Sequence, residues 1–193
     1  MIEPIRCKWC VKTAIEREYH DTEWGVPLHD ERKWFEFLIL DGAQAGLSWS
    51  TILNKREGYR DAFHQFDPEM VARMTETDVE RLIQNPAIIR NLLKIKGAIT
   101  NAQQFLEVQN ELGSFDSYIW QFTDGQVIHN AHETMHTIPA TSPQSDTMSK
   151  ALKKRGFKFL GSTICYAMMQ AAGMVNDHTT DCFRYAEIRS LSS

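Results

Sequence analysis

Apolar residues recur along this chain at intervals of three and four, in runs bounded by capping residues, prolines and glycines. After Asp30, the run ERKWFEFLIL sets Trp34, Phe35, Leu38 and Ile39 at helical spacing, and Asp30 can accept from the free N–H groups of a first turn. Asp67-Pro68 and Asn85-Pro86 each place an acceptor before a proline, whose fixed φ suits the first helical position. From Asn85 the chain reads AIIRNLLKIKGAITNAQQFLEVQNELG, which predicts a helix broken near Gly97 and stopped at Gly113. SFDSYIWQF opens a short helix, and QSDTMSKALKKRG and GSTICYAMMQAAG predict two more, ending on Gly156 and Gly173. Between them, TDGQVIHNAHETMHTIPATSP is rich in turn formers and shows no period. No long segment alternates as a half-buried strand would, and there are no internal repeats. The predicted fold class is all-α, built from many short helices, which offers clefts between helices as binding sites.

Composition bounds the rest. The 193 residues suit one domain with a proper core, expected over 1–185, and the closing RYAEIRSLSS predicts a disordered tail over 186–193. No apolar run approaches the length of a bilayer span, and MIEPIRCKWC lacks the apolar stretch of a signal peptide. The expectation is a cytosolic protein with no membrane partner, in which four cysteines serve as thiols or metal ligands. The net charge of −4 argues against a strongly basic nucleic-acid binder. SKALKKRGFKF nevertheless holds Lys150, Lys153, Lys154, Arg155 and Lys158 with no acid among them, either a solvated helix face or a local basic patch.

Three constellations can carry chemistry. Cys7 or Cys10 with His20 near the start, and His178 with Cys182 in HTTDC near the end, supply two thiols and two imidazoles. That donor set suits a closed tetrahedral zinc site of structural type, while separate buried thiols and surface histidines are the plain alternative. Cys165, inside TICYAMM, reads as core. HETMH at 132–136 matches the zinc-peptidase pattern, with His132 and His136 as ligands and Glu133 as base. Asp124-Gly125 before it and Pro139 after it deny it a firm helix, and no third ligand follows closely, so a chance match on a polar segment is the expectation. The third set is Trp9, Tyr19, Trp24, Asp41 and Trp49. Flat rings among polar residues, near a carboxylate and the small residues of LDGAQAGLSW, suit a stacked base, above all one carrying positive charge. Each ring taken alone would be read as core.

YHDTEWGVP, AGLSW, FHQFDP, ALKKRGFKFLGSTICYAMMQAAG and VNDH, in this order, resemble the 3-methyladenine DNA glycosylase I family of bacterial base-excision repair enzymes, over about residues 5–183. The resemblance implies a helix-hairpin-helix glycosylase fold. It also implies one structural Zn2+ held by Cys7, His20, His178 and Cys182, which picks Cys7 over Cys10. It puts Trp49, Tyr19 and Trp9 against the base, with Asp41 as the pocket acid and the single group assigned a catalytic role. KKRGFKFLG and the following helix look like the family's DNA-gripping hairpin, with Lys153, Lys154, Arg155, Lys158 and Gly161 at the phosphates. Gly46-Leu47 is a candidate for the plug that replaces a flipped nucleotide. The family's pocket acid is usually Glu, and Asp41 is one methylene shorter.

The activity implied is hydrolytic release of 3-methyladenine from flipped nucleotides in double-stranded alkylated DNA, by a monomer without a lyase step, in the bacterial cytoplasm and nucleoid. Asp177 adjoins His178 and is assigned no catalytic role. The rivals are a zinc peptidase using His132, Glu133 and His136, and a module that recognises alkylated bases without cutting.

Overall fold

The computed structural model describes residues 3–191, and among these it contains eleven α-helices. In chain order they are α1 (Ala14–Thr22), α2 (Glu31–Gln44), α3 (Trp49–Leu53), α4 (Arg56–Ala62), α5 (Pro68–Ala72) and α6 (Glu76–Ile83). The long α7 (Leu92–Leu112) follows, then α8 (Phe115–Trp120), α9 (Pro143–Lys154), α10 (Ser162–Ala171) and α11 (Phe183–Leu191). The architecture is mostly helical, as the periodicity predicts. One short parallel bridge pairs Ile128–His129 with Val175–Asn176. No helix of the described residues is long and apolar enough to cross a membrane.

Local chemistry explains the boundaries. Asp30 accepts from Lys33 N at 2.8 Å and starts α2, and Asp67 accepts from the N–H groups of Glu69 and Met70 and starts α5 behind Pro68. Asn85-Pro86 carries the same signal but starts no helix. Asn85 Oδ1 closes a turn onto Ala87 N at 2.9 Å, Lys55 Nζ holds the Pro86 carbonyl at 2.7 Å, and α7 begins only at Leu92, capped by Asn91. The predicted break at Gly97 is also absent: α7 runs unbroken to Gly113, which ends it at φ 85°. Gly97 serves packing instead, since a Cβ there would lie 2.8 Å from the Phe159 ring.

α2 is the central element. Every residue from Trp34 to Ala43 is buried, and the helix packs against α3, α7, α8 and α10. It is enclosed on all sides, so Asp41 near its carboxyl end is taken out of water together with the apolar residues. The chain ends meet at one flank of the molecule, where Phe183 N donates to the Ile5 carbonyl at 3.0 Å. The disordered tail expected over 186–193 is helical to Leu191, because Ile188 is fully buried; Ser192 and Ser193 lie outside the described residues.

Candidate functional site

α1 delivers two neighbouring side chains to two adjoining sites. His20 joins Cys7, His178 and Cys182 in a buried cluster whose four ligand atoms lie within 4.8 Å of one another, and which could hold a metal ion. Cys7 Sγ and Cys182 Sγ stand 3.6 and 3.7 Å from His178 Nδ1, and Cys182 Sγ stands 3.5 Å from His20 Nε2. The outer ring nitrogens fix which lone pairs turn inward. His20 Nδ1 faces the Asp21 carboxylate at 2.8 Å, and Asp21 is itself held by Arg6. His178 Nε2 faces the Trp24 carbonyl at 3.2 Å. Carboxylates and carbonyls only accept, so each outer nitrogen carries the proton and each inner nitrogen presents its lone pair to the sulfurs. The Cys7 thiol and the two imidazoles push the Cys182 thiol far down, while the shared proton and burial push Cys7 up. Cys10 stands apart, its thiol donating to the Cys7 carbonyl at 3.1 Å. Gly25 sits at φ 81°, and a Cβ there would come within 2.8 Å of His178 Nε2.

Tyr19 enters the second site, a cavity of about 350 Å³. Trp9, Tyr19, Trp24, Asp41 and Trp49 all line it, so the structure brings the whole aromatic and acidic set around one space. The rings stand at steep angles: Trp9 and Trp24 have centroids 5.1 Å apart at 71°, and Tyr19 and Trp49 are 5.4 Å apart at 56°. Trp24 forms the border, lining the cavity while its ring meets His178 at 4.5 Å. Six buried side-chain N or O atoms among the described residues lack a hydrogen-bond partner. Four of them belong to this wall: Trp9 Nε1, Tyr19 OH, Asp41 Oδ2 and Trp49 Nε1. Buried polar atoms are almost always paired, so this concentration of orphans marks a place made for a polar, flat guest. Burial raises the Asp41 carboxyl to about 8 and pushes the Tyr19 hydroxyl well up, with Asp41 adding to the effect.

Other wall residues escaped the sequence analysis. Met135, Ile138, Pro139 and Ala140 line the cavity, as do Tyr166 and Gln170 on α10. Tyr166 and Gln170 lie four apart in α10, hence on one face, and that spacing was the available signal. Lys94 was also missed. Its Nζ reaches from α7 to the carbonyls of Ala43 and Ala45, at 2.7 and 2.8 Å, where α2 ends. Just beyond lie Gly46, at φ 79°, and Leu47, 40% exposed on the loop between Gln44 and Trp49.

The HETMH segment is no zinc helix. It holds only the short 3-10 turn Met135–Thr137, and His132 Nδ1 pairs with Thr137 Oγ1 at 3.1 Å. Among the described residues the Cys7 cluster is the one candidate metal site, and His132, Glu133 and His136 take no part in it. In the α9–α10 hairpin, Lys153, Lys154 and Lys158 are exposed and Gly161 is the N-cap of α10. Arg155 is committed elsewhere, to Glu111 at 2.7 Å and to the Tyr118 ring.

The sequence profile of the methyladenine glycosylase family matches residues 9–185. DNA-3-methyladenine glycosylase 1 of Escherichia coli K12 is 50% identical over 180 residues, covering 93% of this chain and 96% of that protein. DNA-3-methyladenine glycosylase of Haemophilus influenzae is 45% identical over 177 residues, covering 92% and 96%. A crystal structure of a 3-methyladenine DNA glycosylase I superposes with a TM-score of 0.91 at 52% identity, over 93% of this chain and 98% of that one. The Staphylococcus aureus 3-methyladenine DNA glycosylase I, solved for the basis of 3-methyladenine recognition, gives 0.89 at 36% identity, over 92% and 95%.

Proposed function

The chain belongs to the methyladenine glycosylase family, and from that membership and the shape of its cavity we infer that it is a base-excision-repair glycosylase that hydrolytically releases 3-methyladenine from alkylated DNA. The four orphaned polar atoms in an aromatic cavity carry this reading, because a flat base with donors and acceptors on its edge supplies what they lack. A base in a duplex must be flipped to reach such a cavity. Trp49, Trp9 and Tyr19 would hold the faces and edge of the base, and Asp41 would accept from its exocyclic amine. A methyl on the adenine N3 gives the attached base a positive charge, which favours the charged form of Asp41 that burial otherwise opposes. The same charge weakens the glycosidic bond. Water adds to the sugar carbon and gives up one proton to solvent, the C–N electron pair leaves with the base and cancels its charge, and neutral 3-methyladenine and an abasic site result. No lysine is among the residues lining the cavity, which supports a reaction without a lyase step. Lys153, Lys154, Lys158 and the N-terminus of α10 at Gly161 would meet phosphates, with Arg155 held closer to the protein surface, and Gly46-Leu47 would fill the gap in the stack. The chain would act as a monomer in the bacterial cytoplasm and nucleoid.

The buried cluster would hold one zinc ion through Cys7, His20, His178 and Cys182. With Zn–S of about 2.3 Å and Zn–N of about 2.0–2.1 Å, tetrahedral geometry sets sulfur and nitrogen roughly 3.6 Å apart. The separations of 3.5, 3.6 and 3.7 Å fit that requirement. Four protein ligands leave no open position, so zinc there supplies cohesion between the chain ends rather than chemistry.

The test is direct. The purified protein is incubated with DNA treated with a methylating agent, and released bases are separated by chromatography. Release of 3-methyladenine without 7-methylguanine is expected. Retention of alkylated DNA with no base released would replace the enzyme by a recognition module and make Asp41→Glu the next variant.

A further inference from the structure

Asp177 is 1% exposed and adjoins the cluster residue His178, yet it is not one of the four clustered ligands. Its carboxylate gathers side chains from two stretches of the cavity wall. The Tyr166 hydroxyl and Gln170 Nε2, both on α10, donate to Oδ2 at 2.7 and 2.8 Å. Asn130 Nδ2 donates to Oδ1 at 2.7 Å, and His132 Nε2 stands 3.5 Å from Oδ1, within ion-pair reach but outside hydrogen-bond alignment. Asn130 and His132 lead into residues 135–140, which supply Met135, Ile138, Pro139 and Ala140 to the cavity. One buried carboxylate therefore ties α10 to the segment that completes the wall.

The tie also sets a polarity. A carboxylate only accepts, so the amide nitrogen of Gln170 must face Asp177, and its carbonyl oxygen is the amide's other end. Gln170 lines the cavity, and among the described residues no hydrogen bond engages that oxygen. We propose that Asp177 is a positioning residue of the base pocket, holding the Gln170 amide so that its carbonyl oxygen is offered to a hydrogen-bond donor on the bound base. This rests on the base-binding function proposed above. It gives the pocket a second acceptor beside Asp41, and hence a preference for bases that carry donors on two parts of their edge.

Asn at position 177 would be nearly isosteric but offers both donor and acceptor, so Gln170 could turn over. The experiment uses the full chain with Asp177→Asn, Gln170→Leu and the double variant. Affinity for free 3-methyladenine is followed by tryptophan fluorescence, kcat and KM by base release from methylated DNA, and zinc per chain by metal analysis. Each single variant is expected to lose about tenfold in base affinity, the worth of one hydrogen bond of about 1.4 kcal/mol. The double variant should lose no more than the weaker single, with zinc content unchanged. Losses that multiply to about a hundredfold, an unchanged affinity in Asp177→Asn, or a loss that follows falling zinc content would each overturn the proposal. If Asp177→Asn does not fold, Gln170→Leu alone decides, and unchanged base affinity overturns it. Failure of the underlying function would look different, because the unaltered chain would then bind no base.

Discussion

The buried Cys/His cluster and the cavity share a border, and they treat buried polarity in opposite ways. Tyr19 and His20 are neighbours on α1, and Trp24 touches His178 on one side and Trp9 on the other. In the cluster the outward-facing ring nitrogens have partners: Asp21 for His20 and the Trp24 carbonyl for His178. Its inward atoms converge within a few ångströms, at the scale of a single ion. Around the cavity, Trp9 Nε1, Tyr19 OH, Asp41 Oδ2 and Trp49 Nε1 have none. An unpaired buried polar group costs about 1–3 kcal/mol. Closed around one ion the cage would contribute to stability, whereas the cavity is carried at a stability cost that a bound base would offset.

The comparison breaks first at the cage. With the cage loaded with zinc, Cys182→Ser or a chelator should destabilise the chain by about 4 kcal/mol or more, the linkage expected of a metal present at a thousand times its dissociation constant. For a chain of this size that corresponds to a fall of roughly 8–16 °C in Tm, read by thermal unfolding alongside zinc per chain. Base affinity should fall with it, since His178 and Trp24 are in ring contact at the border. A variant that loses zinc and keeps its Tm would show that the cluster is not a stability element.

Trp49→Ala should do the reverse. Loss of a stacking face costs about 1–3 kcal/mol per base, or roughly 5- to 150-fold in affinity for free 3-methyladenine, with Tm within about 2 °C of the parent. Asp41 sharpens the contrast through pH. It titrates at about 8 in the folded chain against an ordinary 3.8. Between those values the folded state holds the extra proton, so Asp41 erodes stability as pH rises from about 4 to about 8. Asp41→Asn should match the parent near pH 4 and be more stable at about pH 9, by an amount on the order of a few kcal/mol at most. Base excision should run the other way. The charged carboxylate attracts the cationic base, so the parent's single-turnover rate should rise about tenfold from pH 6 through about 8 while the variant's stays flat. A flat parent profile would remove Asp41 from the reaction.

Much of the fold was legible because it is local. Capping acceptors and helical spacing located α2 and α5, and Gly113 marked the end of α7. The misreadings have tertiary causes. Asp67-Pro68 and Asn85-Pro86 are equivalent as sequence, yet the second is held in a turn because Ala87 lies against Gly58 of α4, where a Cβ would come 2.4 Å from the Ala87 carbonyl. Gly97 did not break α7 because Phe159 occupies the space a side chain would need. Spacing suggested one apolar face for α2, while enclosure by four helices buries Phe37, Leu40 and Asp41 as well. At the site, residue types and family motifs named the four rings and the acid around the cavity, but spacing alone could not choose Cys7 over Cys10. Lys94 drew no notice and Asp177 was given no role, because the contacts of each, Lys94 with Ala43 and Ala45 and Asp177 with Asn130, Tyr166 and Gln170, form only in the folded chain.

Lys94 offers the smallest and most selective test. α2 ends without a glycine cap; its C-cap residue, Ala45, has φ −43° and ψ 113°, and the carbonyls of Ala43 and Ala45 are satisfied by Lys94 Nζ instead. A cation at a helix C-terminus is favourable for the dipole as well as for the carbonyls. Burial lowers the Lys94 ammonium pKa from its ordinary value, so the contact carries a desolvation cost of its own. Lys94→Met keeps the apolar stem and removes the charge. Stability should fall by about 1 kcal/mol. Affinity for the free base should stay within about twofold, because Lys94 is not among the residues lining the cavity. Single-turnover excision from duplex DNA should nevertheless drop about fivefold, since the loop carrying Gly46 and Leu47 loses its anchor at the end of α2. Lys94→Arg, which keeps a cation, should recover part of that rate. Equal losses on free base and duplex would mean that Lys94 supports the cavity rather than the loop, and would leave Leu47 without a structural reason to be poised at the DNA.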